Sequence, residues 1–285
     1  GKHQNALAEI NHEFVREYQI PVARRLSGGS TVFHDPGNVN FTFIRNVKDI
    51  SEVNFKVFTI PVVAALKKLG VEAYTTGRND LLIDGKKISG NAEHVHKNRV
   101  LHHGTLLFDS HLEALKGALK ADLSKFEDKA VQSNRSEVTN IAEYLPNRIP
   151  VDEFTRFLFC EICSAYPDFR NYEPTSKDVA AIEKLAIGKY QTWDWIFGYS
   201  PRYRFTNTIE TANGSILVSL LVERGRITET AFSGEIQEEI AQKLARTLVG
   251  CRHDWAEISD RFSIIKNENP EYQDLIQGIQ DGLLG

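Results

Sequence analysis

The sequence has no methionine, only three cysteines and no long apolar segment. A membrane-spanning helix needs about 18 consecutive apolar residues, so we expect none here, and no basic start with an apolar centre predicts a secretory leader. Cys160, Cys163 and Cys251 are too few for a disulfide framework. Cys160 and Cys163 have C-x-x-C spacing, but no second pair completes a zinc site. We therefore interpret them as two free thiols in a reducing compartment. We therefore predict a cytoplasmic protein.

A large excess of one charge is also missing. Lysine and arginine number 34 against 38 acidic residues, a net charge of −4, which argues against wholesale nucleic-acid binding. A chain of 285 residues can hold one large domain and one small one. Because it opens at Gly1 without methionine, we expect an N-terminal piece to be absent from it.

Strand and helix patterns alternate in the first part of the chain. Residues 51–69 have a helical apolar face although Pro61 lies inside it, and Ser51 with Glu52 is a candidate helix cap. Asp84 and Gly85 predict a tight hairpin turn. Helical periodicity dominates from residue 111 to about residue 184. We predict strands over residues 20–25, 39–43, 71–74, 81–83, 87–89 and 100–108.

The composition changes near Ile187, where a tryptophan-rich segment begins. Two strand patterns flank Arg224 and Gly225, which predicts a second hairpin, and apolar residues at four-residue intervals over residues 236–248 predict a helix packed on it. We therefore predict two domains, residues 1–186 and residues 187–285, each with both helices and strands.

The densest polar segment is RRLSGGST at residues 24–31. Adjacent glycines let the backbone approach a ligand, and the N–H groups of such a loop can bind an anion. Arg25 can hold a carboxylate or phosphate with two hydrogen bonds. A solvated surface turn is the alternative, but His34, Asp35 and Asn38 follow closely, which is more polar than a routine connection requires.

A second candidate is KKISGNA at residues 86–92. Strand alternation predicts that Lys87 and Ser89 share one face and that Ile88 lies on the other. A lysine directed into a polar pocket would neutralise two anions that are being brought together, and so lower the barrier to attack of one on the other. Lys86 is interpreted as a solvated lysine.

Three further groups are ambiguous from the residues alone. Four histidines between residues 94 and 103 lack a carboxylate or cysteine that would complete a ligand set, so a histidine metal site is not expected. Asn79 and Asp80 form an Asx-turn, or Asp80 holds Mg²⁺. Arg135 lies in a polar segment that could close over a nucleotide.

These segments resemble the lipoate–protein ligase A family. The resemblance rests on RRLSGGSTVFHDPGN at residues 24–38, TGRND at 76–80, KISGNA at 87–92, HHGTLL at 102–107 and NRSEVTN at 134–140, in the family's order and spacing. Trp193, Asp194 and Trp195 resemble the entry to the family's C-terminal domain. The resemblance implies a large mixed-sheet α/β domain of the biotin and lipoate ligase type, with a small C-terminal α+β accessory domain.

The resemblance also implies a reaction and the residues that perform it. ATP and Mg²⁺ would convert lipoate to lipoyl-AMP, whose acyl group passes to a lysine of lipoyl-domain proteins, namely 2-oxoacid dehydrogenase E2 subunits and the glycine cleavage H protein. No nucleic acid or membrane is expected as a partner, and a monomer is. Lys87 would be catalytic and Asp80 the metal ligand. The nucleotide would be bound by Arg25, Ser30, Thr31, Val32, Phe33, Asn79, Asp80 and Lys87. Lipoate would be bound by Arg25, Ser27, Gly28, Gly29, His34, Lys87 and His103.

Two departures and three alternatives accompany this expectation. Ser30 stands where the family commonly has a third glycine, and Glu137 stands where basic residues are common. A lipoyltransferase that uses preformed lipoyl-AMP would share the loop and Lys87. An octanoyl or lipoyl amidotransferase of the same fold would need a cysteine nucleophile, and the three cysteines fall outside the matching segments. A non-catalytic lipoate or lipoyl-domain binder would not need both Arg25 and Lys87.

Overall fold

The computed structural model describes residues 1–49, 54–76, 80–119, 122–133, 136–211 and 214–284. The helices are α1 (Ala6–Glu9), α2 (His12–Glu17), α3 (Phe55–Lys68), α4 (Leu112–Ala118), α5 (Val151–Ser164), α6 (Ser176–Leu185), α7 (Glu238–Leu248), α8 (Trp255–Glu268) and α9 (Gln273–Asp281). Ala186–Tyr190 and Asp194–Gly198 are π-helical turns, and Leu123–Lys125, Ile141–Tyr144 and Pro270–Tyr272 are 3₁₀ turns. None of the helices within these ranges has the length and apolar composition of a transmembrane span.

The strands form two sheets. They are β1 (Asn38–Asn46), β2 (Tyr74–Thr75), β3 (Asp80–Ile83), β4 (Lys86–His96), β5 (Arg99–Leu107), β6 (Phe126–Asp128), β7 (Tyr203–Thr211), β8 (Gly214–Glu223) and β9 (Arg226–Gly234). The first sheet has the order β1-β5-β4-β3-β2 and the second β6-β7-β8-β9. Neighbouring strands are antiparallel in both sheets, and parallel pairing occurs at the isolated bridge between Lys87 and Val138. The prediction of a fold with mixed helices and strands is confirmed.

The chain divides into two compact units. The first unit comprises Gly1, Arg25–Lys116 and Ser133–Ala181, and the second comprises Lys2–Arg24, Gly117–Gln132 and Ile182–Gly285. The segments at residues 2–24 and 117–132 therefore group with the C-terminal residues. The division into domains of residues 1–186 and 187–285 stays a prediction.

In the first unit, α3 covers one face of the five-stranded sheet. Its N-cap Asn54 accepts a hydrogen bond from Lys56 N at 3.0 Å, and its buried face joins strand residues in one apolar core. The helix continues through Pro61, and the hydroxyl of Thr59 donates to the carbonyls of Phe55 and Lys56 in the same stretch. The core includes Val62, Leu66, Leu81, Ile88, Leu106, Phe108, Ile141 and Phe154. The predicted cap at Ser51 and Glu52 lies outside the described residues.

In the second unit, helices pack on the β7-β8-β9 meander. The turn between β8 and β9 has Arg224 at φ 50° and Gly225 at φ 72°, the left-handed pair that a two-residue hairpin requires. Asp84 and Gly85, at φ 49° and 80°, form the matching turn of the first sheet. Both predicted hairpins and the predicted helix over residues 236–248 are confirmed.

Three secondary-structure predictions were wrong. The strand predicted over residues 71–74 keeps only its last residue, because β2 is Tyr74–Thr75. Residues 20–25 have no strand, because the side chain and carbonyl of Arg24 bond to loop and helix groups. The helical stretch predicted from residue 111 is interrupted by β6, which pairs with β7 more than 70 residues later. Such a distant partner leaves no local periodicity to detect.

Candidate active site

A β-bulge in β4 determines where Lys87 points. Gly90 pairs with Asp80, but Lys87 pairs with Leu82, so Ile88 is an extra residue without its own partner on β3. Directly paired residues of antiparallel strands place their side chains on one face. Lys87 therefore shares a face with Asp80 and Gly90.

The predicted face for Lys87 was wrong for the same reason. Simple alternation groups Lys87 with Ser89, but the bulge removes one step of alternation, and Ser89 pairs with Leu81 on the opposite face. Ser89 and Leu81 are 1% and 0% exposed, so that face is the core. The face that carries Lys87 is the accessible one, and we call it the site face.

The backbone and ammonium group of Lys87 are both held in place. Lys87 N donates to Glu137 O at 2.8 Å, and Thr139 N donates to Lys87 O at 3.1 Å. Its ammonium lies 2.9 Å from Asp80 Oδ1, with both side chains about a quarter exposed. The ammonium also passes Gly90, where a Cβ would lie 3.5 Å from Nζ. The ammonium therefore lies at ordinary contact distance over Gly90.

The structure gives limited support to Asp80 as a metal ligand. Its carboxylate is paired with Lys87. Within the described ranges, no group of three or more histidine, cysteine, aspartate or glutamate side chains could hold a metal ion by itself. Mg²⁺ in nucleotide sites needs only one or two carboxylates, because substrate phosphates complete its coordination. Asn79, predicted to bind the nucleotide, lies outside the described residues.

The glycine loop is braced by Arg25. Its Nη2 donates to Gly28 O at 2.6 Å and to Ser30 O at 2.8 Å, while Nε donates to Ser27 Oγ at 3.1 Å and to Gly28 O at 3.2 Å. Gly29 has φ +87°, and a Cβ there would lie 2.9 Å from Nη2 of Arg25. Burial lowers the pKa of Arg25. Its guanidinium therefore draws the loop's carbonyls inward and shapes the loop around itself.

Arg24 has a different function from its neighbour. It is 4% exposed and lies in the second unit, and burial lowers its pKa to about 10. Its guanidinium donates to Lys2 O, Gln4 O, Trp195 O, Ile196 O and Ser200 Oγ at 2.7 to 3.1 Å. Arg24 therefore satisfies buried backbone carbonyls of the second unit, although it is adjacent to Arg25 in the sequence.

Two histidines lie beside the loop. Ser27 Oγ lies 2.5 Å from His103 Nε2, and Asn38 Nδ2 donates to His34 Nδ1 at 2.9 Å. Burial first, and then the charge of Arg25, lowers the pKa of both histidines below the ordinary value. Both imidazoles are therefore neutral near pH 7.

The remaining predicted residues lie along the segment that leads into β1. Thr31 N donates to Ser133 Oγ at 3.0 Å, and Val32 and Phe33 are partly buried. Ser30 contributes its carbonyl to Arg25. Asp35, noted only for polarity, has a structural role, since its carboxylate accepts from Gly37 N and His111 N.

Sequence reasoning missed two residues of this arrangement. Gly90 lies beneath the Lys87 ammonium and donates its N–H to Thr105 Oγ1 at 3.4 Å, and Ser133 anchors the loop. Gly90 lay inside a motif that had been noted for its lysine. Ser133 directly precedes residues 134–140, and that adjacency was its one sequence signal.

The arrangement is suited to anionic ligands. The site face carries Lys87, and the loop above it contains a guanidinium and two adjacent glycines. The loop lies over β4, because a Cβ on Gly29 would be 3.6 Å from Ala92 Cβ. An ammonium beside glycine-rich backbone can hold a carboxylate and a phosphate together.

Comparison with known proteins identifies relatives of this arrangement. A sequence model of the lipoyl protein ligase A/B catalytic domain matches residues 1–163, and one of the bacterial lipoate protein ligase C-terminus matches residues 200–277. The chain is 40% identical to lipoate-protein ligase LplJ of Bacillus subtilis (strain 168) over 91% of this chain and 80% of the relative. It is 38% identical to lipoate–protein ligase 1 of Staphylococcus aureus (strain Mu50) over 92% and 80%.

Solved structures share the fold. A bipartite lipoate protein ligase of Thermoplasma acidophilum, solved in a study that includes its E2 lipoyl domain, has a TM-score of 0.60 at 27% identity, over 70% of this chain and 79% of that one. LipL1 of P. falciparum in complex with lipoate has a TM-score of 0.58 at 25% identity, over 97% and 82%. A lipoate-protein ligase A bound with ATP has a TM-score of 0.58 at 27% identity, over 70% and 81%.

Proposed function

This chain belongs to the lipoate–protein ligase family, and on that premise we propose that it activates lipoate with ATP and transfers the lipoyl group to a lysine of a partner protein. It is a ligase, because its named relatives are ligases. This favours ligation over the lipoyltransferase, the amidotransferase and the non-catalytic binder. The observation that carries the proposal is the position of Lys87 on the site face beside the loop that Arg25 shapes.

Lys87 has the central role in this proposal. Its ammonium would lie between the lipoate carboxylate and the α-phosphate of ATP, so that the two anions can approach each other. The carboxylate oxygen attacks the α-phosphorus, the new P–O bond gives lipoyl-AMP, and pyrophosphate leaves. A fixed cation stabilises the charge that accumulates between these groups. The backbone hydrogen bonds of Lys87 with Glu137 and Thr139 hold the backbone from which this side chain extends.

The loop would hold the nucleotide and the acid. The N–H groups near Gly29 would face a phosphate, with Ser30, Thr31, Val32 and Phe33 beside the nucleotide. Ser27, Gly28, His34 and His103 would line the lipoate side. Arg25 supports both functions, because it holds the carbonyls of Gly28 and Ser30 away from an incoming anion.

ATP and lipoate occur in relatives of known structure, whereas Mg²⁺ is our proposal here. Asp80 would be its protein ligand, since its carboxylate lies 2.9 Å from the Lys87 ammonium, and Asn79 would bind the nucleotide. When bound, the ion would neutralise phosphate charge. Asp80 would then exchange its contact with the Lys87 ammonium for one with the ion.

The acceptors would be apo lipoyl domains. The structural relative from T. acidophilum was studied together with an E2 lipoyl domain, and we extend this to 2-oxoacid dehydrogenase E2 subunits and the glycine cleavage H protein. We further propose a cytoplasmic monomer. Light scattering on the full chain would give twice the monomer mass if it is instead a dimer.

Exchange of labelled pyrophosphate into ATP tests the proposal directly. With the full-length natural protein, exchange should require both lipoate and Mg²⁺. A folded protein that shows no exchange but transfers lipoate from added lipoyl-AMP would overturn the adenylation step and favour the transferase. Omitting the apo lipoyl domain is the control, because exchange reports activation alone.

A further inference from the structure

The transfer reaction requires a group that accepts a proton from the acceptor amine. A lysine amine that attacks an acyl-adenylate must lose one proton when the amide forms. Lys87 is a cation and cannot accept it. A base for this proton would lie among the side chains beside Lys87 on the site face.

His103 lies on the same face of the same sheet as Lys87. It pairs with Ala92 on β4 and with Thr42 on β1. Ala92 is two residues beyond Gly90, over which the Lys87 ammonium lies, and two strand residues span about 6.6 Å. His103 therefore lies on β5, next to β4, and is displaced along the strands by the spacing between Gly90 and Ala92.

The imidazole of His103 is oriented by a neighbouring hydroxyl. Ser27 Oγ lies 2.5 Å from its Nε2 and also accepts a hydrogen bond from Arg25 Nε at 3.1 Å. A hydroxyl oxygen has two lone pairs, so it can accept from Arg25 and from His103 at the same time. We assign the tautomer in which Nε2–H donates to Ser27 Oγ, and in that tautomer the lone pair of His103 is on Nδ1.

The groups around His103 keep it neutral. From the loop it faces Arg25 and His34, while its strand neighbours Ala92 and Thr42 are uncharged. The next histidine along the chain, His102, points to the other face, where it bonds to Glu93 Oε1 at 2.9 Å. Burial, then the charge of Arg25, lowers the pKa of His103 below its ordinary value. A neutral imidazole can accept a proton at pH 7.

The second histidine beside the loop, His34, accepts a hydrogen bond at Nδ1. The Nδ2 of Asn38 can only donate, and it lies 2.9 Å from His34 Nδ1. His34 Nδ1 is therefore the acceptor, and its proton is on Nε2.

We propose that His103 is the general base of the acyl-transfer step, an inference that rests on the function proposed above. The neutral amine of the acceptor lysine attacks the carbonyl carbon of the acyl-adenylate. The C–N bond forms, the C–O bond to the phosphate breaks, and AMP leaves with the electron pair of that bond. The proton lost by the attacking nitrogen passes to Nδ1 of His103, which then releases it to solvent.

The test is single-turnover transfer from preformed lipoyl-AMP to an apo lipoyl domain between pH 5 and 9. If only the acceptor amine must lose a proton, the transfer rate rises tenfold per pH unit. If a base must also be deprotonated, the rate rises more steeply at pH values below the pKa of that base. In the wild type we expect the steeper rise at low pH and the tenfold rise above it. In His103→Gln we expect transfer to fall about 10²- to 10⁴-fold with the steeper rise at low pH lost, while pyrophosphate exchange falls less than tenfold.

Two further variants make the result decisive. His103→Ala should regain part of its transfer rate with added imidazole, which a positioning role would not produce. His96→Gln, at an exposed position near the end of β4, should keep the wild-type rate and profile. Normal transfer by His103→Gln, or equal loss of transfer and exchange without imidazole rescue, would overturn the proposal. If the wild type transfers the lipoyl group from lipoyl-AMP but shows no pyrophosphate exchange, the ligase function is overturned. The assignment of His103 as the base of the transfer step would still stand.

Discussion

The ammonium of Lys87 lies 2.9 Å from Oδ1 of Asp80, across the first sheet's bulged strand pair. The two side chains are about 22% and 26% exposed, so the pair is only partly screened by water. An anion that binds Lys87 competes with Asp80 for the same ammonium. Ligand binding and this ion pair are therefore coupled.

The first prediction concerns the charge of Lys87. Lys87→Ala should lower lipoate-dependent pyrophosphate exchange about 10²- to 10³-fold, the usual effect of removing one stabilising group from a developing charge. Lys87→Arg should retain more activity than the alanine variant but less than wild type, because a planar guanidinium cannot take the ammonium's place. Circular dichroism checks the fold, and exchange at the wild-type rate in folded Lys87→Ala would remove this residue from the site.

The second prediction separates the two roles of Asp80. If Asp80 holds Mg²⁺, Asp80→Asn should raise the Mg²⁺ concentration for half-maximal exchange about tenfold, since an amide is a weaker ligand than a carboxylate. A titration of Mg²⁺ at saturating ATP and lipoate measures this. An unchanged Mg²⁺ requirement with altered lipoate affinity would limit Asp80 to its contact with Lys87.

The third prediction concerns the space beside Lys87. A Cβ at Gly90 would lie 3.4 Å from Cε and 3.5 Å from Nζ of Lys87. These are ordinary van der Waals distances, so Gly90→Ala should leave the ammonium in place, keep exchange close to the wild-type rate and change the melting temperature little. Gly278→Ala is the matched control: it lies in α9 with no atom within 4 Å of the added Cβ, and alanine should stabilise a helix by up to about 1 kcal/mol. Exchange that falls in Gly90→Ala but not in Gly278→Ala would show instead that the added methyl group displaces the ammonium.

The fourth prediction concerns Arg24. Arg24→Met should lower the unfolding free energy of the second unit by about 3 to 5 kcal/mol, because several buried carbonyls lose their charged donor. All three tryptophans, Trp193, Trp195 and Trp255, belong to that unit, so urea unfolding followed by tryptophan fluorescence reports it. Arg204→Met, whose exposed side chain donates to Ser219 Oγ, should cost less than about 1 kcal/mol.

The fifth prediction is a pH dependence of the same unit. His253 is 1% exposed, between the Tyr203 hydroxyl and the Leu283 carbonyl, and burial lowers its pKa from 6.5 to about 4. The unfolded chain binds the proton more readily, so this stability is complete above pH 6.5 and is lost as pH falls towards 4. Between pH 7 and pH 5 the loss from His253 should be about 2 kcal/mol.

His12 adds to this effect, since burial and Arg16 lower its pKa to about 4. Urea unfolding at both pH values measures the difference. His253→Gln should be less stable at pH 7 and should show a smaller change between the two. A wild-type stability that is equal at pH 7 and pH 5 would contradict this assignment.

The sequence predicted the local elements well where one segment contains the whole signal. The turns at Asp84 and Arg224 were readable because each needs only two residues with left-handed backbone. The strand of residues 20–25 and the face of Lys87 were predicted wrongly. Each of these depends on a partner elsewhere in the chain, the carbonyl acceptors of Arg24 and the register of β3.

The sequence by itself determined the chemistry, because an ammonium at residue 87, a guanidinium at residue 25 and two adjacent glycines have these properties in any fold. Its ordered motifs also determined the family. The tertiary structure alone decided which groups meet. A one-residue bulge turned Lys87 to the accessible face, and long-range contacts gave Arg24 a structural role and joined Ser27 to His103. Pairing across a sheet joins residues far apart in the chain, and no local pattern records that register.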